Sequence, residues 1–122
     1  MKFTKLLDLM DMLLGENGCP WDREQTHESL QKYLLEECHE LIDAINERDT
    51  EHIIEELGDV LLQVVFHAKI AEKAGKFTID DVVTCITQKL IRRHSHIFGE
   101  DTANNAEEVA ALWAKNKAKE VE

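Results

Sequence analysis

A scarcity of chain breakers constrains this sequence most. One proline, Pro20, and five glycines punctuate 122 residues, where an average soluble chain of that length carries roughly 6 prolines and 8 or 9 glycines. Proline removes a backbone donor and glycine costs backbone entropy, so their scarcity leaves long runs open to helix. In those runs the apolar residues recur every three or four positions, as in Leu6, Leu7, Met10, Leu13 and Leu14. That spacing predicts five helices, over about 2–14, 27–47, 50–74, 78–94 and 105–119. Gly15 and Gly18 end the first, and the polar run from Gly15 to Thr26 reads as a loop. Only Arg48, Asp49 and Thr50 separate the second helix from the third, so these two form an antiparallel hairpin. Gly75 is placed as a C-cap, and Thr78-Ile79-Asp80-Asp81 and Asn105-Ala106-Glu107-Glu108 read as helix starts. The expected fold class is all-α, with one domain over residues 1–122. With 43% hydrophobic and 32% charged residues, such a chain is not disordered by composition, and its core is thin enough that oligomerisation would help complete it.

Several function classes fall away. No apolar run is long enough to span a membrane. Asp8 and Asp11 interrupt the N-terminal apolar stretch, which a signal peptide would not tolerate. Cys19, Cys38 and Cys85 form no C-x-x-C pair, so neither a disulfide framework nor a zinc site is indicated, and a reducing cytoplasm is the expected compartment. There is no glycine-rich phosphate loop, dinucleotide fingerprint or nucleophile elbow. The net charge is 14 − 25 = −11, which argues against coating or directly binding nucleic acid. The charge is uneven, however. Residues 1–88 hold 8 basic and 19 acidic side chains, and residues 89–122 hold 6 of each.

The acidic excess gathers on the hairpin. Glu37 and Glu40 lie three apart on its first helix, and Glu56 and Asp59 three apart on its second. Residues at i and i+3 project together, so four carboxylates can converge along the seam. The apolar stripes beside them are Leu30, Leu34, Cys38, Leu41, Ile42 and Ile45 on one helix, and Ile53, Leu57, Val60, Leu61, Val64 and Ala68 on the other. Neither motif has a lysine or arginine one turn away to neutralise it. Like charges held together are costly, and a hard divalent cation with oxygen ligands, Mg²⁺ or Mn²⁺, relieves that cost. A single E-x-x-E is usually a solvated helix face, so on the residues alone both readings stand. Glu36 with His39, and Glu24 with His27, have the Glu-x-x-His spacing of di-iron bundles. Glu36 and His39 point away from the apolar stripe and Glu24 falls in the loop, so that reading is set aside. Further along, Lys89 and Arg93 share a helix face, as do Trp113 and Lys117. These side chains suit phosphates, although cations at a helix C-terminus also complement its dipole and a tryptophan is often core. His94 and His96 read as helix-end or packing groups, and His67 as a satisfied core histidine. Trp21 reads as a lid or a packing anchor.

Gly18-Cys19-Pro20-Trp21-Asp22-Arg23-Glu24-Gln25-Thr26-His27-Glu28-Ser29-Leu30, then Leu35-Glu36-Glu37-Cys38-His39-Glu40, then Glu55-Glu56-Leu57-Gly58-Asp59-Val60-Leu61, together resemble the MazG family of nucleoside triphosphate pyrophosphohydrolases. Arg92-Arg93-His94-Ser95-His96-Ile97-Phe98-Gly99 and the pair Trp113 and Lys117 match as well, so the resemblance spans nearly the whole chain. It implies a helical hairpin core that dimerises into a four-helix bundle, or a higher homo-oligomer. It implies Mg²⁺-dependent cleavage of a nucleoside triphosphate between the α- and β-phosphates, giving NMP and pyrophosphate, as in nucleotide-pool house-cleaning. By the same resemblance Glu37, Glu40, Glu56 and Asp59 are the metal ligands, and Lys89, Arg93, Trp113 and Lys117 contact the nucleotide. Glu36 or Glu55 would take the proton of the attacking water. Two positions depart from the pattern: Ser95 replaces a common proline, and His52 stands where a basic residue is frequent, which would weaken a triphosphate contact there. Two other readings remain open. One is a dUTP, dCTP or phosphoribosyl-ATP pyrophosphohydrolase of the same superfamily, and the other a non-catalytic helical dimer.

Overall fold

The computed structural model describes residues 1–120; Val121 and Glu122, the end of the expected domain, lie outside the described residues. The described residues form seven helices: α1 (Lys2–Leu13), α2 (Pro20–Glu24), α3 (Gln31–Glu47), α4 (Thr50–Lys73), α5 (Ile79–Arg93), α6 (Ser95–Phe98) and α7 (Ala106–Lys119). The described residues fall into two compact units, 1–79 and 80–120.

The first unit is built on the hairpin. α3 stops at Arg48, which takes a left-handed conformation with φ of 58°. Asp49 then caps α4, its side chain accepting from the backbone N–H groups of Glu51 and His52. The two-residue reversal sets α3 and α4 antiparallel along their length. α4 ends at Lys73, and the chain turns away at Gly75, where φ is 70°. The Lys76 N–H donates to the Ala71 carbonyl and the Gly75 N–H to that of Glu72, a pattern that satisfies the last orphan carbonyls and needs a left-handed residue. α1 packs on α4. The core is Met10, Leu14, Leu30, Val65 and Phe66, with Leu6, Leu7, Leu13, Tyr33, Leu62 and Ile70 against it. The loop after α1 folds back so closely that a Cβ at Gly18 would lie 2.1 Å from the Leu13 carbonyl oxygen. Only glycine fits there, and the Cys19 N–H donates to that same carbonyl at 2.8 Å.

Two expectations change. The run expected as a polar loop over 15–26 contains a short helix, α2, with Pro20 in its first turn. There the missing N–H costs nothing. The apolar faces are also rotated. Of the α3 stripe only Leu30 is buried, while Leu34, Ile42 and Ile45 are exposed, and Ala44 is buried instead. On α4, Leu57, Leu61 and Val64 are exposed, whereas Glu56, Gln63, Val65, Phe66, Ala68, Lys69 and Ala71 are buried. Each helix has two apolar faces, and periodicity does not say which one meets a neighbour within the chain.

In the second unit, α6 packs on α7. Asn105 caps α7 by accepting from the Glu108 N–H at 2.8 Å, and Glu108 in turn accepts from the Asn104 N–H at 2.6 Å, much as the sequence predicts. Asn116, buried on α7, donates to the Ser95 hydroxyl at 2.7 Å, so Ser95 anchors α6 where a proline could not.

Candidate metal centre

Helix spacing and the hairpin register converge four carboxylates. Glu37 and Glu40 come from α3, Glu56 and Asp59 from α4, and one oxygen of each lies within 4.8 Å of all the others. Glu56 is buried, Glu37 and Asp59 half-buried, and Glu40 exposed. Among the described residues no lysine or arginine pairs with any of the four, and the one basic partner is His52, whose Nε2 lies 3.2 Å from Glu56 Oε1. Glu37 Oε2 and Glu56 Oε2 are buried with no hydrogen-bond partner.

The electrostatics follow from that geometry. Burial pushes the Glu37 carboxyl up to about 7, helped by Asp59, Glu40 and Glu56. Burial likewise raises Glu56, with Glu40 and Asp59 adding and His52 opposing. A carboxylate cluster that resists ionisation and leaves two buried oxygens unpaired is matched by a cation with oxygen affinity. The donor set is all oxygen, which suits a hard divalent ion. The orphaned oxygens therefore fit a metal.

Beside this cluster, sharing Glu37 as a wall, is a cavity of about 240 Å³. Trp21, Tyr33, Phe66 and Gln63 also line it. Trp21 is half-exposed and meets Tyr33 edge to face at 5.6 Å, so it is a packing contact at the cavity rather than a core residue.

Glu36 is exposed and is not one of the four converging carboxylates, and the same holds for Glu55. His39 is also exposed, in keeping with setting aside the di-iron reading. In the second unit Arg93 and Trp113 do meet, the guanidinium lying 5.2 Å from the ring centroid. Arg93 also pairs with Glu120 at 3.0 Å, and Arg92 with the same carboxylate at 3.2 Å. Lys89 is half-buried and Lys117 exposed. His94 closes α5 onto the Leu90 carbonyl and meets Trp113 edge-on, as a helix-end group should.

Two features escaped the sequence reading. His52 does not stand apart as a phosphate contact: its Nδ1 donates to Glu47 Oε2 at 3.0 Å while its Nε2 faces Glu56. The i, i+4 spacing of His52 and Glu56 was a visible signal; Glu47, across the turn, had none. The second is a histidine pair, His27 Nδ1 and His67 Nδ1 at 2.8 Å. His67 is thus only half satisfied, since its Nε2 is buried without a partner.

Comparison with known proteins gives the family. Residues 25–98 match the MazG nucleotide pyrophosphohydrolase domain, a span that includes all four carboxylates, Lys89 and Arg93 but not Trp113 or Lys117. The chain is 51% identical over 117 residues to the nucleoside triphosphate pyrophosphohydrolase/pyrophosphatase MazG of Thermotoga maritima, covering 96% of this chain and 46% of that protein. It is 45% identical over 120 residues to the nucleoside triphosphate pyrophosphohydrolase of Escherichia coli, covering 98% and 46%. An uncharacterised protein, YabN, of Bacillus subtilis is 50% identical over 119 residues, covering 98% of this chain and 24% of that protein. The chain therefore spans about half, or less, of these curated relatives. The crystal structure of a mazG-related protein from Thermotoga maritima shares the fold, with a TM-score of 0.77, 24% identity, and coverage of 94% of this chain and 98% of that one.

Proposed function

The chain belongs to the MazG nucleotide pyrophosphohydrolase family, and on that premise we propose that it hydrolyses nucleoside triphosphates between the α- and β-phosphates, giving NMP and pyrophosphate, with Mg²⁺ as its metal and Mn²⁺ as a substitute. The single observation that carries this reading is the seam of four carboxylates with two buried, unpartnered oxygens. Glu37, Glu40, Glu56 and Asp59 would hold the ion. An ion held there would supply Lewis-acid stabilisation of charge on the phosphate oxygens. A glutamate outside the ligand set, Glu36 or Glu55, takes the proton of the attacking water as its oxygen bonds to phosphorus and the bridging oxygen departs with pyrophosphate. Lys89, Arg93 and Lys117 are assigned to the phosphates and Trp113 to the sugar or base. The apolar cavity beside Glu37 offers aromatic surroundings of the kind a nucleobase takes.

A second copy of the chain is part of the proposal. Leu34, Ile42, Ile45, Ile54, Leu57, Leu61 and Val64 expose a large apolar face on the hairpin, and a contiguous apolar patch of this kind marks an interface. Homodimerisation would turn two hairpins into a four-helix bundle. Among the described residues no helix is long and apolar enough to cross a membrane.

Product analysis on a panel of nucleoside triphosphates with Mg²⁺ tests the activity and separates dUTP, dCTP and phosphoribosyl-ATP from the rest. Glu40→Gln and Asp59→Asn should each lower turnover on the order of 100-fold or more. Wild-type rates in both would remove the site assignment. Absence of any Mg²⁺-dependent turnover would favour the non-catalytic dimer.

A further inference from the structure

His52 lies in the first turn of α4, four residues before Glu56, and faces two carboxylates at once. Its Nδ1 donates to Glu47 Oε2 at 3.0 Å and its Nε2 lies 3.2 Å from Glu56 Oε1. Glu47 is the last residue of α3, so the imidazole bridges the hairpin turn. Its backbone is fixed too, because the His52 N–H donates to the Asp49 side chain. Glu56, its partner, has a side chain only 7% exposed. One Glu56 oxygen is therefore engaged by the imidazole, and the other, Oε2, is buried with no partner.

We propose that His52 is a positioning residue that restricts Glu56 to one-oxygen coordination and so biases the site toward a small octahedral cation, Mg²⁺ or Mn²⁺, over Ca²⁺. This rests on the reading of the four carboxylates as a metal centre. Mg²⁺ takes about six oxygens in near-ideal octahedral geometry, whereas Ca²⁺ takes roughly 6–8 and often binds a carboxylate through both oxygens. With His52 Nε2 3.2 Å from Oε1, Oε2 is the Glu56 oxygen left without a partner, and the two-oxygen geometry that Ca²⁺ exploits is disfavoured. Removing the imidazole frees Oε1 and gives Ca²⁺ a ligand atom that Mg²⁺ does not need. Any charge on the imidazole is lost with it, but that change acts on two ions of equal charge. The ratio of their affinities isolates the positioning effect. Outer partners that orient a ligand are worth roughly 10–100-fold in metal affinity. His52 is thereby turned away from the triphosphate contact that its sequence position suggested.

The test is calorimetric titration of the full chain, without nucleotide, with Mg²⁺, Mn²⁺ and Ca²⁺ in separate runs. Wild type should favour Mg²⁺ over Ca²⁺, and His52→Ala should narrow that preference by roughly 10-fold. His52→Gln, which keeps an N–H for Glu56, should restore most of it. Glu47→Gln, which leaves the Nε2 contact in place, should shift it less than His52→Ala does. Circular dichroism of each variant checks the fold; if the alanine variant does not fold, His52→Leu, which fills the space without an N–H, carries the test with the same expected narrowing. An unchanged Mg²⁺/Ca²⁺ ratio in a folded His52→Ala, with wild type binding both ions, overturns this inference alone. If wild type binds none of the three ions, the metal-centre reading falls and takes this inference with it.

Discussion

Glu37 carries the cost of the site in its own titration. Its carboxyl is raised from 4.5 to about 7, by burial first and then by Asp59, Glu40 and Glu56. In the unfolded chain it titrates near the lower value. Between the two, the folded protein holds a proton that the unfolded chain has lost, so acid favours the metal-free fold and rising pH through about 7 removes that advantage. The melting temperature of metal-free protein should therefore drop from pH 5 to pH 8. Glu37→Gln should flatten that drop and melt above the parent at pH 8, by about 4 °C for each kcal/mol relieved. A variant that melts lower there, with the drop intact, would contradict the electrostatic account. His67 works the other way. Burial and then His27 lower it from 6.5, so the fold takes up this proton less readily than the unfolded chain and loses stability as pH falls below 6.5. Glu56 and His52, both raised, act in the same sense as Glu37. In a Glu37→Gln background, adding His67→Gln should therefore raise the melting temperature at pH 5 relative to that at pH 7. An unchanged difference between the two would locate the acid sensitivity elsewhere. Of these residues, the four carboxylates were readable from i, i+3 spacing on neighbouring helices. The histidine pair was not, because His27 and His67 are 40 positions apart and each sits in an otherwise ordinary pattern.

At the scale of elements, the hairpin turn does the positioning. Asp49 accepts from the N–H groups of Glu51 and His52, and such a cap is worth ~1 kcal/mol. Asp49→Ala should lower urea stability by about that amount with the slope of the transition unchanged; an unaltered midpoint would mean that the cap does not hold the turn. The hairpin and the caps at Gly75 and Asn105 were legible because their signals are local: a short polar break, a glycine just past a periodic run, an Asn with Glu three residues on. α2 and α6 were not, since five and four residues are too few to show a 3.6-residue period. Pro20 was the one available cue to α2. The choice of buried face was also beyond the sequence. Leu57, Leu61 and Val64 make the more continuous stripe, yet within the chain they stay outside while Val65 and Phe66 go in.

Across the whole molecule, the net charge of −11 and the exposed apolar face of the hairpin point to two different partners. The acidic excess lies on the same two helices that present Leu34, Ile42, Leu57 and Leu61 to solvent. A second chain on the apolar face and a cation in the acidic seam would each cover what one folded chain leaves uncovered. Leu57→Glu with Leu61→Glu should give a monomer by light scattering at micromolar concentration, with a lower melting temperature than wild type. A wild-type protein that is itself monomeric would contradict the bundle. The proposed role of the seam of Glu37, Glu40, Glu56 and Asp59 is Mg²⁺-dependent pyrophosphohydrolysis. Its most direct test is phosphorus NMR of a nucleoside triphosphate incubated with wild type, Glu40→Gln and Asp59→Asn in Mg²⁺. The account predicts NMP and pyrophosphate in equal amounts from wild type, and loss of both products in two variants that remain folded. Release of NDP and orthophosphate, or equal turnover by the variants, would contradict it.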